Sequence, residues 1–180
     1  MGHVARDIIF DKAKRIKLLI LDVDGVLTDG SITYAASGEQ IQSFNVKDGL
    51  GIALLKKAGI EVAIISSRSS DALKKRAAEL GIKEIVQGIK NKLSSYEELK
   101  SRMGLSDDEI AYMGDDWVDL PLMKRVGLGI TVADAWEPMQ DYAHYITLNP
   151  GGRGAVREVC DLILKAQNKW SAFLNDYLNP

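Results

Sequence analysis

Short runs of consecutive apolar residues alternate along this chain with stretches in which apolar residues recur every three or four positions. Lys17-Leu-Leu-Ile-Leu-Asp22 is a continuous apolar run, the pattern of a strand buried on both faces. Ile60–Ser66, Glu84–Gln87, Glu109–Gly114, Gly127–Val132 and His144–Leu148 predict five more strands. Between them, Leu50, Leu54 and Ala58 mark a helix that Gly59 ends, and Leu73, Ala77 and Leu80 mark one that Gly81 ends. Leu93, Tyr96 and Leu99 predict a third, Val118–Arg125 a short one, and Val156, Val159, Cys160 and Ile163 the core-facing stripe of a final helix. Ser106-Asp-Asp-Glu109 has the spacing of a capping box, although the next strand follows too soon for a long helix.

Strands alternating with helices in this way predict an α/β fold, a doubly wound and mainly parallel sheet covered on both faces. One interval breaks the rhythm. From Gly30 to Phe44 there is no helical period, only two short β-prone pieces around Ala36-Ser-Gly-Glu39, which predict a hairpin flap projecting after the first strand. With 180 residues and no linker, the chain reads as one domain, residues 1–180, ending in a tail from about residue 150.

Composition narrows the class. The 23 basic and 25 acidic residues leave a formal charge of −2, without the basic excess of a nucleic-acid binder. The lone Cys160 allows no disulfide within the chain and fits a reducing compartment, and no apolar run approaches a membrane span. Arg6 and Asp7 interrupt the start of the chain, unlike a secretory signal. These features predict a cytoplasmic protein.

The candidate chemistry lies at strand ends. Asp22-Val-Asp24-Gly-Val-Leu-Thr28 follows the first strand, at the end of an open α/β sheet where ligands bind. Held rigidly there, Asp22 is a candidate nucleophile toward phosphorus, and Asp24 a candidate general acid and base. Two adjacent anions call for a cation, and oxygen ligands suit Mg²⁺. After the fourth sheet strand, Gly114-Asp115-Asp116-Trp-Val-Asp119 supplies three more acids, with Asp115 the leading metal ligand and Asp116 and Asp119 behind it. A capping role in the following turn would equally account for Asp116. Ser66 ends the second sheet strand and is a candidate donor to a phosphoryl oxygen. Lys92 precedes the third helix and is a candidate counter-ion for phosphate and Asp22.

That order of acid pair, Ser, Lys and acid cluster resembles the haloacid-dehalogenase-like phosphohydrolases. The resemblance implies a modified Rossmann sheet, an aspartyl-phosphate intermediate, and Mg²⁺ held by Asp22, the Asp24 carbonyl and Asp115. Leu19–Leu27, Asn45-Val-Lys-Asp-Gly49, Gly114–Pro121, Val132–Ala135 and Gly151-Gly-Arg-Gly-Ala-Val-Arg-Glu158 narrow it to the 3-deoxy-D-manno-octulosonate 8-phosphate phosphatases, over about residues 15 to 168. It implies a step of lipopolysaccharide precursor biosynthesis. It also implies substrate contacts at Asp24, Asn45, Val46, Lys47, Asp48, Gly49, Arg68, Arg76 and Lys92; arginine forks suit the substrate's carboxylate.

The intervals between the motifs leave no room for an inserted cap domain. The resemblance implies that a homotetramer closes the site instead, with a neighbour's tail entering it through Gly151-Gly-Arg-Gly154 and with Arg153 and Arg157 as charges for an anionic substrate. Two other readings use the same parts. One is a phosphatase of a nine-carbon sugar-acid 9-phosphate. The other is a phospho-accepting receiver module, although a receiver carries its phosphorylated Asp on a later strand.

Overall fold

The computed structural model describes residues 3–179. β1 (Leu18–Leu21) has all four residues buried and stands inside a six-stranded sheet. The chain first runs outward on one side of it, through β4 (Glu61–Ile65) to β5 (Glu84–Val86). It then returns to the other side with β6 (Ile110–Gly114), β7 (Leu128–Thr131) and β8 (Tyr145–Ile146). The order is β5-β4-β1-β6-β7-β8 and every pairing is parallel. All six expected strands are present. The order reverses beside β1, which opens a crevice at the carboxyl ends of β1 and β6.

Helices α1 (His3–Lys14), α2 (Val46–Lys57) and α7 (Ala155–Ala166) pack together, as do α4 (Lys92–Met103), α5 (Leu120–Met123) and α6 (Glu137–Tyr142). α3 (Asp71–Glu79) links β4 to β5. Gly59 and Gly81 follow α2 and α3 as expected. Cys160 is buried in the α7 face that the apolar period marked. The Ser106 capping box exists, but on a single 3-10 turn, Asp107–Glu109.

The sequence reading fails where a helix is short or buried on more than one side. α2 contacts both β4 and α7, so Ile52 and Leu55 are fully buried whereas Leu50, part of the expected stripe, is 41% exposed. The helix expected over Val118–Arg125 is a 3-10 turn, Trp117–Asp119, followed by the one-turn α5. α1 and α6 were not anticipated, although Ile9, Ala13 and Ile16 carry a helical spacing and are buried. The side chains of residues 3–6, His3 and Arg6 among them, lie outside the described residues.

The expected final helix needs correction. α7 is core, with seven buried residues, and it is not the last helix, because α8 (Trp170–Leu178) follows. Within this chain the Gly151–Gly154 strip braces the first loop. Gly152 N donates to Val26 O at 2.9 Å, and Asn45 Nδ2 donates to Gly152 O at 3.3 Å. A Cβ on Gly151 would fall 1.8 Å from Gly25 O, so only glycine fits. Gly151→Ala must push the Asp24–Thr28 loop aside. It is expected to cost about 1–3 kcal/mol, as overpacking does, and to lower activity, measured by denaturant unfolding and steady-state assay.

Candidate active site

Each polar residue at the crevice leaves the end of a strand or starts a helix. Asp22 follows β1, Ser66 follows β4, Asp115 follows β6, and Lys92 is the first residue of α4. With Asp24, Gly30, Ser67, Arg68, Asp116 and Val118 they line one cleft of about 290 Å³. The turn after β1 depends on Gly25, at φ +81°. A Cβ there would lie 2.0 Å from Asp115 Oδ2, so glycine lets the two acidic loops meet.

Lys92 is buried between acids. Its Nζ lies 2.8 Å from Asp22 Oδ2 and 2.6 Å from Asp119 Oδ1, and it donates to the Tyr112 hydroxyl at 3.3 Å. Tyr112 donates in turn to Asp119 Oδ1. The other Asp119 oxygen accepts from the backbone N–H of Asp115 at 3.0 Å and of Asp116 at 3.3 Å. Asp119 therefore orients Lys92 and the acidic loop, with both of its oxygens engaged. Ser66 Oγ accepts from Arg68 N at 3.3 Å, which leaves its hydroxyl proton free for an incoming oxygen.

The remaining carboxylates suit a hard cation. Asp22, Asp115 and Asp119 each offer an oxygen, all within 4.8 Å of one another, an oxygen-only set matching Mg²⁺ rather than a soft metal. Since Asp119 is engaged elsewhere, Asp22 and Asp115 would hold the ion. Burial, with Asp119 close by, pushes the Asp22 carboxyl up to about 7. Burial and then the charge of Asp22 push Asp115 up to about 8.

These shifts set a pH dependence. Between the ordinary carboxylate range and pH 7–8 the folded state holds protons that the unfolded chain has lost. These groups therefore make metal-free stability fall as pH rises through that window. A bound cation needs both groups ionised. The gain in melting temperature on adding Mg²⁺ is expected to be larger above pH 8 than well below pH 7. Equal gains at both would show that the cation binds elsewhere.

A family profile described as haloacid dehalogenase-like hydrolase matches residues 81–158. The 3-deoxy-D-manno-octulosonate 8-phosphate phosphatase KdsC of Escherichia coli (strain K12) is 48% identical over 168 residues, 93% of this chain and 89% of the relative. The chain belongs to the 3-deoxy-D-manno-octulosonate 8-phosphate phosphatase family. It is a phosphoric monoester hydrolase with a haloacid dehalogenase-like fold. The solved phosphatase of this family from Moraxella catarrhalis, in complex with magnesium ion, phosphate ion and a KDO molecule, superposes with a TM-score of 0.92. It is 47% identical, with 94% of this chain and 97% of that one covered. A cobalt-bound phosphatase of the family from Haemophilus influenzae has a TM-score of 0.89 at 44% identity, covering 93% and 99%.

Not every residue expected from the family resemblance lies at this phosphatase cleft. Asp116 is exposed and its Oδ1 accepts from Trp117 N at 2.7 Å; it caps the turn and is outside the acid cluster. Asn45 caps α2 through Lys47 N, while Val46 and Lys47 are exposed. Asp48 is buried, accepting from Arg157 N at 2.7 Å. Arg76 pairs with Glu79 and donates to Asn45 O, beside Gly49. Arg157 pairs with Asp161 at 2.9 Å, and Arg153 Nη2 lies 3.6 Å from Asp29 Oδ2. Within this chain Asn45, Asp48, Arg76 and Arg157 tie the first turn of α2 to α3 and α7, and of the residues in this group only Asp116 lines the cleft. Sequence reasoning missed Tyr112 and the flap residues Gln40 and Gln42. Tyr112 is a polar residue inside an otherwise apolar strand, a signal that was available.

Proposed function

We propose that the chain hydrolyses 3-deoxy-D-manno-octulosonate 8-phosphate to the free sugar acid and phosphate, with Mg²⁺, through an aspartyl phosphate on Asp22. The convergence of Asp22, Ser66, Lys92 and Asp115 on one cleft carries the reading, and the named substrate and ligands of the relatives give it a substrate. Mg²⁺, held by Asp22, Asp115 and the Asp24 carbonyl, supplies a compact positive charge beside the phosphoryl oxygens. An Asp22 carboxylate oxygen attacks phosphorus while the bond to the sugar oxygen breaks, and Asp24 gives that oxygen its proton. Water then attacks phosphorus, its proton passes to Asp24, and the phosphorus–Asp22 bond breaks to release phosphate. Lys92 and Ser66 steady the phosphoryl oxygens. Arg68 takes the sugar-acid carboxylate in this reading, supported by its position in the cleft lining and by the fit of a guanidinium fork to a carboxylate.

Among the described residues no helix is long and apolar enough to cross a membrane. A cytoplasmic site of action agrees with the single buried thiol. A homotetramer belongs to the same reading. It is supported by an apolar groove where Leu50, Leu54, Leu164, Phe173 and Tyr177 meet, and sedimentation tests it. The functional experiment assays eight-carbon and nine-carbon sugar-acid phosphates in parallel, with and without chelator. Preference for the eight-carbon ester, lost in chelator and restored by Mg²⁺, is the expected result. A preference for the nine-carbon ester would move the chain to that substrate, and a phosphorylated protein without turnover would make it a receiver-type module.

A further inference from the structure

The flap does more than border the cleft. β2 (Thr33–Tyr34) and β3 (Gln40–Ile41) form its antiparallel pair. Gln40 and Gln42 stand two residues apart, so in extended chain their side chains share a face, and Ile41 between them is exposed. That face meets two cleft residues. Gln42 Nε2 donates to Asp24 Oδ1 at 3.3 Å, and Gln40 Oε1 accepts from Arg68 Nη2 at 3.2 Å. Arg68 Nε lies 3.3 Å from Asp24 Oδ2 without donating to it. Among the described residues, then, Gln42 is the side chain that hydrogen-bonds the Asp24 carboxyl. The other end of its amide, Oε1, is buried without a partner, so Asp24 is what fixes the amide's direction.

We propose that Gln42 is a positioning residue for proton transfer at Asp24, holding the carboxyl so that it faces the leaving oxygen of a phosphate monoester. The inference rests on the function proposed above, in which Asp24 gives a proton to the leaving oxygen and later takes one from water. An amide suits that task. Its N–H donates to Oδ1 whether or not Oδ2 carries the proton, so the carboxyl keeps its direction through both halves of the cycle. Because the amide comes from the flap, the proton donor is aimed by the element that also borders the substrate.

A leaving-group comparison separates aiming from structural support. A sugar alkoxide leaves only as it is protonated, whereas p-nitrophenolate leaves without a proton. The quantity to compare is kcat/KM, which covers the steps up to departure of the leaving group. Gln42→Leu keeps the bulk of the side chain. It is expected to lower kcat/KM about 10- to 100-fold on the sugar-acid phosphate, the order of loss for a misplaced catalytic group, and no more than about 2-fold on p-nitrophenyl phosphate. Gln42→Glu, which sets an acceptor against Asp24, is expected to do no better than Leu on the sugar ester. Thermal melts of both variants report folding. Equal losses on the two esters, no loss on either, or recovery in Gln42→Glu would overturn the proposal. If the unaltered protein turned over neither ester with Mg²⁺ present, the proposed function would fail instead.

Discussion

Asp22→Asn is expected to leave a folded protein with less than about 1% of the original turnover, beyond the 10²-fold lower end of general acid–base effects. The amide is a poor nucleophile and a poor ligand for a hard cation, so the substitution removes bond formation to phosphorus and one arm of the metal site together. Folding should survive. Asp22 is a buried acid whose carboxyl is pushed up by burial and by Asp119, and a neutral amide of the same shape relieves that strain while still accepting from Lys92. The expected signature is therefore unchanged or higher metal-free stability with turnover lost. It is measured by thermal denaturation and phosphate release on the same preparation. Retention of more than a few per cent of activity would remove Asp22 from the nucleophile's role.

Lys92→Met is expected to damage both fold and activity. Lys92 has a side chain only 2% exposed and faces Asp22 and Asp119, themselves buried. Burial pulls the lysine pKa down, but the two acids more than offset it, and the net direction is up. Removing the cation leaves Asp119 buried without its ion-pair partner, with Tyr112 and two backbone N–H groups as its remaining donors. Breaking a buried pair in this way costs about 3–5 kcal/mol. The loss should be smaller below pH 7, where Asp22 already carries a proton. Denaturant unfolding at two pH values measures it. A loss under about 1 kcal/mol would mean that the acids find other partners. Tyr112→Phe is the milder probe. It removes one donor from Asp119 and should cost about 1–3 kcal/mol if the oxygen is left short of a partner.

The strand plan and the chemistry were written along the chain because both depend on local order. A strand buried on both faces must be apolar throughout, so β1, β4, β6 and β7 announce themselves as runs. A carboxylate that acts at a sheet end must directly follow such a run, as Asp22 and Asp115 do. The same logic placed Ser66 and, at the start of α4, Lys92. Helices covered on two sides escaped it. α2 buries Ile52 and Leu55 between β4 and α7, and a single stripe of spacing four cannot describe two contact faces.

What only the tertiary structure decided is which polar groups meet. Asp116 and Asp119 are equivalent in the sequence motif. In the fold Asp116 accepts from the next backbone N–H and stays exposed, whereas Asp119 is buried under Lys92 and Tyr112, because only Asp119 is reached by groups from α4 and β6. Gly151 and Gly152 are expected, from the resemblance, in a tail serving a neighbour's site; within this chain they are pressed against Gly25 and Thr28, about 125 residues earlier. Gln42 had no motif at all. Its amide matters through one contact with Asp24, 18 positions away, and a contact made by folding the chain back has no period or spacing by which a sequence can announce it.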